Sequence, residues 1–206
     1  MTTRRTVLAG LAAASVYGLG MAAITWRPRR GAADLDAIIS ETDGPILGNP
    51  NGDVTIVEFF DYQCSFCKRD YAALMDLVQR DGNIRLLMKD WPILGPASMT
   101  ASQVVLGAAS SGQYAAAHGA LMATPGRLSD PQIARALAGA GVDTTAAMDG
   151  WLDNRERWEG WLSRNARQAA SLGMQGTPGY IVGERVFAGA VPMNVLRDTV
   201  ARARSS

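Results

Sequence analysis

The chain has two cysteines, Cys64 and Cys67, in the run Cys64-Ser65-Phe66-Cys67. Two thiols three positions apart can close a small disulfide ring. When the first stands at the start of a helix, the positive end of the helix dipole favours its thiolate over its thiol. The thiolate is the species that attacks a disulfide sulfur. The chemistry open to this pair is the exchange of disulfides with another protein.

The elements around the pair must put Cys64 at such a helix start. Val54-Thr55-Ile56-Val57-Glu58-Phe59-Phe60 is a near-continuous apolar run of the kind found in a strand buried on both faces. After the cysteines, Ala72, Leu74, Met75 and Val78 recur at helical spacing, and Asp81-Gly82-Asn83 ends that helix. Ile84–Met88 reads as a second strand, so strand, helix and strand form a βαβ unit with parallel strands.

From Pro96 to Gly173 the pattern is helical, with no strand candidate. Ser129-Asp130-Pro131-Gln132 predicts a helix start with a capping serine, an early proline and a glutamine completing a capping box. A later helix carries Trp158, Leu162, Ala166 and Ala169 on one face and stops at Gly173. Gly176-Thr177-Pro178-Gly179 follows, then strand Tyr180–Val182, a Gly183-Glu184 turn suited to a type II′ hairpin, and strand Arg185–Phe187. Pro192 opens a last helix. The order βαβ, helical block, ββα predicts one sheet built from both ends of the chain, with a helical subdomain inserted between them.

Composition is ordinary for a globular protein, with 48% hydrophobic and 19% charged residues among 206. Five arginines fall within residues 1–30, leaving 15 basic against 19 acidic residues in 31–206. A mildly acidic body without a basic stripe gives no support to nucleic-acid binding. At the N-terminus, Arg4-Arg5 precedes an apolar stretch from Val7 to Trp26, followed by Arg27-Pro28-Arg29-Arg30. Three readings stand for residues 1–30: a twin-arginine export signal, a general secretory signal, or an uncleaved membrane anchor through residues 7–26. Each takes the body out of the reducing cytoplasm into a compartment in which a disulfide persists. Residues 31–44 read as a linker, with a short strand candidate at Pro45–Leu47. Residues 45–203 form the folded domain, its insertion at about 96–173, and 204–206 a tail.

Taken together, Glu58-Phe59-Phe60-Asp61-Tyr62-Gln63-Cys64-Ser65-Phe66-Cys67, Gly176-Thr177-Pro178-Gly179 and the helical block between them resemble the DsbA-like disulfide oxidoreductases of the bacterial envelope. The resemblance covers roughly residues 45–203. It implies an α/β, thioredoxin-like fold with an inserted α-helical subdomain. It also implies that Cys64 is the exposed nucleophile, Cys67 its buried partner, and Pro178 the family's cis-proline. Thr177 would present backbone groups to an incoming peptide. Glu58 matches the family's buried acid, moving protons to and from Cys67; a plain ion pair with Lys89 is the other reading of Glu58.

The chain departs from the family's strongest oxidants, which carry a histidine between the cysteines; here Ser65 and Phe66 stand there. His118, the only histidine, reads as structural or solvent-facing. A potential less oxidising than about −120 mV follows, near about −150 to −200 mV. Thr177 is the residue found in isomerases of the family, which pulls away from a pure oxidase, although residues 31–53 are too short for a dimerisation domain. The expected activity is thiol:disulfide exchange with cysteine-containing envelope proteins in the periplasm, more as oxidant than as reductase or isomerase. The redox-active disulfide Cys64–Cys67 serves without a cofactor or metal, a membrane redox partner regenerates it, and the protein is a monomer. A non-enzymatic copper(I) chaperone using the two thiolates is the alternative outside enzymology.

Overall fold

The computed structural model describes residues 35–205. The expectations for residues 1–30, including the anchor at 7–26, lie outside the described residues. No helix among the described residues is long and apolar enough to cross a membrane.

The apolar run predicted to be a central strand is β2 (Val54–Phe60), in which every residue but Thr55 is buried. Its chain continues through α2 (Ser65–Asp81) into β3 (Ile84–Asp90), buried along its whole length. The two strands pair in parallel, from Val54 opposite Ile84 to Phe60 opposite Asp90. That pairing carries β3 two residues past the predicted end, through Lys89 and Asp90. β1 (Ile46–Gly48) lies antiparallel on β3, β4 (Gly179–Val182) antiparallel on β2, and β5 (Arg185–Phe187) antiparallel on β4. The sheet order is β1-β3-β2-β4-β5. Gly183 supplies the positive φ, 55°, that the β4–β5 turn requires.

Between β3 and β4 run α3 (Pro96–Ala108), α4 (Tyr114–Met122), α5 (Asp130–Gly139), α6 (Thr144–Asp153) and α7 (Arg155–Ser171), and α8 (Met193–Ala203) closes the chain. The fold is α/β and thioredoxin-like, with the helical block between the two parts of the sheet as expected. Within that block α3 and α6 touch backbone to backbone. A Cβ on Gly107 would stand 1.8 Å from the Ala147 carbonyl oxygen, and one on Gly150 would stand 2.6 Å from the Gly107 carbonyl oxygen. Only glycine permits that approach. At the start of α5, the Ser129 hydroxyl bonds the Gln132 side chain at 2.8 Å and makes no capping bond to the backbone.

The register separates two sheet faces. Side chains alternate along a strand, so Glu58 shares a face with Met88 while Lys89 shares the other with Phe59. Arg85 and Lys89 reach the N-terminal segment and α7, through Ile39 O at 2.9 Å and Gln168 Oε1 at 3.1 Å. The opposite face receives α2 and α8.

This geometry corrects three expectations. Glu58 does not pair with Lys89, because the sheet lies between them. Lys89, fully buried, is paired instead with the Glu41 carboxylate and lies 4.0 Å from the Trp161 ring centre. Residues 35–39 of the expected linker form a short helix, α1 (Leu35–Ile39), whose Ile38 is buried in the core. Five residues are too few to show a helical period, which is why composition alone reads as linker. The expected tail begins on an anchored residue, since the Arg204 guanidinium bonds both Asp53 (2.8 Å) and Asp81 (2.6 Å).

Candidate active site

Cys64 is the N-cap of α2, with extended backbone at φ −72° and ψ 115°. Its amide donates to the Asp61 carbonyl at 3.0 Å, and its own carbonyl accepts the first helical bond, from Lys68 N at 3.1 Å. The sulfur therefore stands in front of the free amides of the first turn, and Cys67 N–H donates to it at 3.4 Å. On its other side the Cys64 thiol donates to the Thr177 carbonyl at 3.2 Å. The Thr177–Pro178 peptide bond is cis. Sites 113 residues apart in sequence thus meet at one sulfur.

The two sulfurs differ sharply in environment. Hydrogen bonding from the Cys67 thiol, with further help from the Thr177 side chain and the amides of Cys67 and Phe66, brings the Cys64 thiol down to about 6 against the opposing effect of burial. Cys67 is fully buried, and that burial, together with its bond to Cys64 and the nearby Glu58 charge, pushes its thiol far above the ordinary range. At neutral pH the reduced pair holds one thiolate, on Cys64. The expectation of an exposed Cys64 needs correction: the residue is only 5% exposed, because the Thr177 segment lies against its sulfur. Phe66, 50% exposed, is the projecting side chain of the motif.

Glu58 is buried on the face that α2 covers. Tyr180, its neighbour across the β2–β4 pairing, donates its hydroxyl to Glu58 Oε1 at 3.2 Å. Oε2 has no partner among the described residues. Burial outweighs the Tyr180 bond and raises the Glu58 carboxyl to about 8, so it is mostly protonated at neutral pH.

Two residues of the cysteine motif have roles that sequence reading missed. Asp61 is 1% exposed and its carboxylate accepts four hydrogen bonds, from Gln63 N (2.7 Å), Ile93 N (2.8 Å), Leu94 N (2.9 Å) and the Ser98 hydroxyl (2.7 Å). Gln63 adds bonds to Leu94 O at 3.0 Å, Ser98 Oγ at 3.1 Å and Leu128 N at 3.2 Å. Together they fasten the loop before Cys64 to the entrance of the helical block. A carboxylate three residues before a helix-capping cysteine was the available signal, but not its partners.

His118, on α4, is fully buried and not solvent-facing. Its Nδ1 lies 3.0 Å from the Tyr62 hydroxyl, and the rings of Phe60, Tyr62, Tyr71 and Tyr114 surround it at 5.0 to 5.6 Å. Burial lowers it to about 3, which keeps the imidazole neutral. Through Tyr71, it packs α4 against the cysteine-bearing helix. No three His, Cys, Asp or Glu side chains are grouped to hold a metal among the described residues.

The DSBA-like thioredoxin domain matches residues 55–201 of this chain. The chain belongs to that family. Its members are thiol–disulfide oxidoreductases, and the DsbA-like chain described here is an oxidoreductase of this kind. Among solved structures, a thioredoxin-like oxidoreductase from Silicibacter pomeroyi is 36% identical, with 84% of this chain and 99% of that one covered and a TM-score of 0.79. The thiol-disulfide exchange protein alpha-DsbA2 from Wolbachia pipientis is 31% identical, covering 84% and 93% at a TM-score of 0.76. A periplasmic thioredoxin-like protein from Salmonella enterica serovar Typhimurium is 27% identical, covering 84% and 98% at 0.70. No curated protein matches the DsbA-like chain significantly.

Proposed function

We propose that this protein is an exported thiol:disulfide oxidoreductase that donates its Cys64–Cys67 disulfide to cysteine-containing proteins of the periplasm. The observation that carries the direction is the thiolate-stabilising setting of Cys64 at the start of α2, with its thiol held near about 6. Stabilising the thiolate stabilises the dithiol form, which makes the disulfide easier to reduce and hence more oxidising. Export is supported by the leader-like residues 1–30 and by the periplasmic description of the Salmonella enterica relative.

In the proposed cycle a client thiolate attacks the Cys64 sulfur of the disulfide and Cys67 leaves with the electron pair. Cys67 cannot persist as a buried thiolate, so protonated Glu58 supplies its proton. The mixed disulfide between client and Cys64 is held along the Thr177–Pro178 segment, where a client strand can use the backbone of Thr177. A second client thiolate then attacks the client's own sulfur, and Cys64 departs as its stable thiolate. Two electrons have passed from the client to the cysteine pair, and the client has gained one disulfide. The redox couple is the pair itself, and a membrane redox partner reoxidises it.

The deciding experiment is the equilibrium of the full chain with glutathione, read by thiol trapping. A potential above about −170 mV supports a disulfide donor. One below about −230 mV overturns the direction and assigns the dithiol as the working form, that of a reductase.

A further inference from the structure

A groove of about 670 Å³ opens beside Cys64, between the first turns of α2 and the loop joining α4 to α5. Its volume is within the range of ligand-sized clefts. Gln63 and Ser65, the residues flanking Cys64, line it on one side, and Thr124 to Arg127 line the other. Leu94 contributes apolar surface, while Met122 is buried. Lys68, Arg69 and Arg127 also line it, and none of its lining residues is an acid. In a body with 15 basic and 19 acidic residues over positions 31–206, this is a local reversal of sign.

The three cations are not equally available. Arg69 is paired with Asp70 at 2.7 and 2.9 Å. Lys68 donates only to neutral acceptors, Thr124 Oγ1 at 2.9 Å and Gly126 O at 2.8 Å. Asp61 is the carboxylate whose field reaches Lys68, and its oxygens are already taken by four donors. Arg127 is exposed and no carboxylate pairs with it among the described residues. Lys68 and Arg127 therefore leave uncompensated positive charge beside the reactive sulfur, reinforced by the N-terminal end of α2.

We infer that this groove selects clients, preferring segments that carry an acidic side chain a few residues from the reacting cysteine. An incoming carboxylate meets Lys68 and Arg127 while the neighbouring apolar side chain covers Leu94, which is 39% exposed. Complementary charge of this kind acts mainly on the association rate and on partner choice. The inference rests on the exchange activity proposed above.

The test uses the oxidised full chain and three short peptides, each with one cysteine and with Glu, Gln or Lys three residues away. The rate of mixed-disulfide formation is divided by each peptide's rate with the uncharged 2-hydroxyethyl disulfide, which removes differences in intrinsic thiol reactivity without adding a charge preference of its own. At low salt the Glu peptide is expected to react roughly five- to tenfold faster than the Gln peptide, with the Lys peptide slowest, and high salt narrows the spread. Lys68→Gln shrinks the preference. Arg127→Glu, at an exposed position that disturbs no hydrogen bond of the fold, shrinks or reverses it. Equal normalised rates for the three peptides, or a preference that survives in the double variant, overturn the inference. Failure of the oxidised protein to react with any peptide or with dithiothreitol overturns the exchange activity itself.

Discussion

The Tyr180 hydroxyl donates to one oxygen of Glu58 at 3.2 Å and leaves the other without a partner, in a part of the core that holds Cys67 as well. Folded, Glu58 keeps its proton up to about pH 8, whereas an ordinary glutamate releases it near 4.5. Between those values the folded state binds one proton more than the unfolded state, so stability declines as pH rises and the loss is complete above about pH 8. Glu58→Gln removes this contribution. Denaturant unfolding should find the variant more stable than the parent by on the order of 3 kcal/mol at about pH 8.5, with little difference at about pH 4. Asp90, also raised to about 8 by burial, contributes its own decline in both proteins.

The asymmetry between the cysteines predicts a single alkylation midpoint. In the reduced protein, iodoacetamide should label Cys64 with a pH profile centred near about 6, and leave Cys67 unlabelled while the fold persists. Cys67→Ala removes the thiol hydrogen bond that contributes most to this lowering, so the midpoint should move upward. A midpoint that stays in place would contradict the bond's role.

Exchange should fail entirely in Cys64→Ser, which has no sulfur for the client to attack. Cys67→Ser keeps that sulfur but lacks the thiol that would release a client, so mixed disulfides should accumulate on non-reducing gels. Turnover persisting in the Cys64 variant would be incompatible with the proposed cycle.

Asp61 holds the loop before Cys64 through four donors, and truncating it leaves the buried Ser98 hydroxyl and three part-buried amides without their acceptor. Asp61→Ala should cost about 3 kcal/mol of unfolding free energy, since loss of one charged acceptor leaves several donors unsatisfied. The same variant should slow client exchange under conditions where it remains folded, measured as single-turnover oxidation of a reduced peptide.

Much of this arrangement was legible in the sequence because its signals are local. A buried strand such as Val54–Phe60 announces itself by continuous apolar residues, and two cysteines at its exit point first to disulfide exchange, with copper(I) binding as the alternative. Glu58 was another matter. Whether it meets Lys89 depends on which face each residue takes, and that is fixed by the register of β2 on β3, in which Glu58 stands opposite Met88. Asp61 was visible as a residue of the motif, but its donors at Ile93, Leu94 and Ser98 lie more than 30 positions on, the first two in a loop without a period of its own and Ser98 in the first turn of α3. His118 looked peripheral because it is distant in sequence from the cysteines, yet the tyrosines that enclose it come from three separate segments. Long-range pairing of this sort leaves no trace in composition.

The contact between Cys64 and Thr177 closes a very long loop, and β4 pairs with β2 across the whole helical block in sequence. Closures of such length come late in folding. Until then both thiols are present without the segment that covers Cys64. A chain with further cysteines would be open to wrong crosslinks throughout that interval. This one has only two, so a single intramolecular disulfide exists for it, and that disulfide lies within one turn of one helix. A protein of the thiol–disulfide exchange family is thereby unable to scramble its own disulfide.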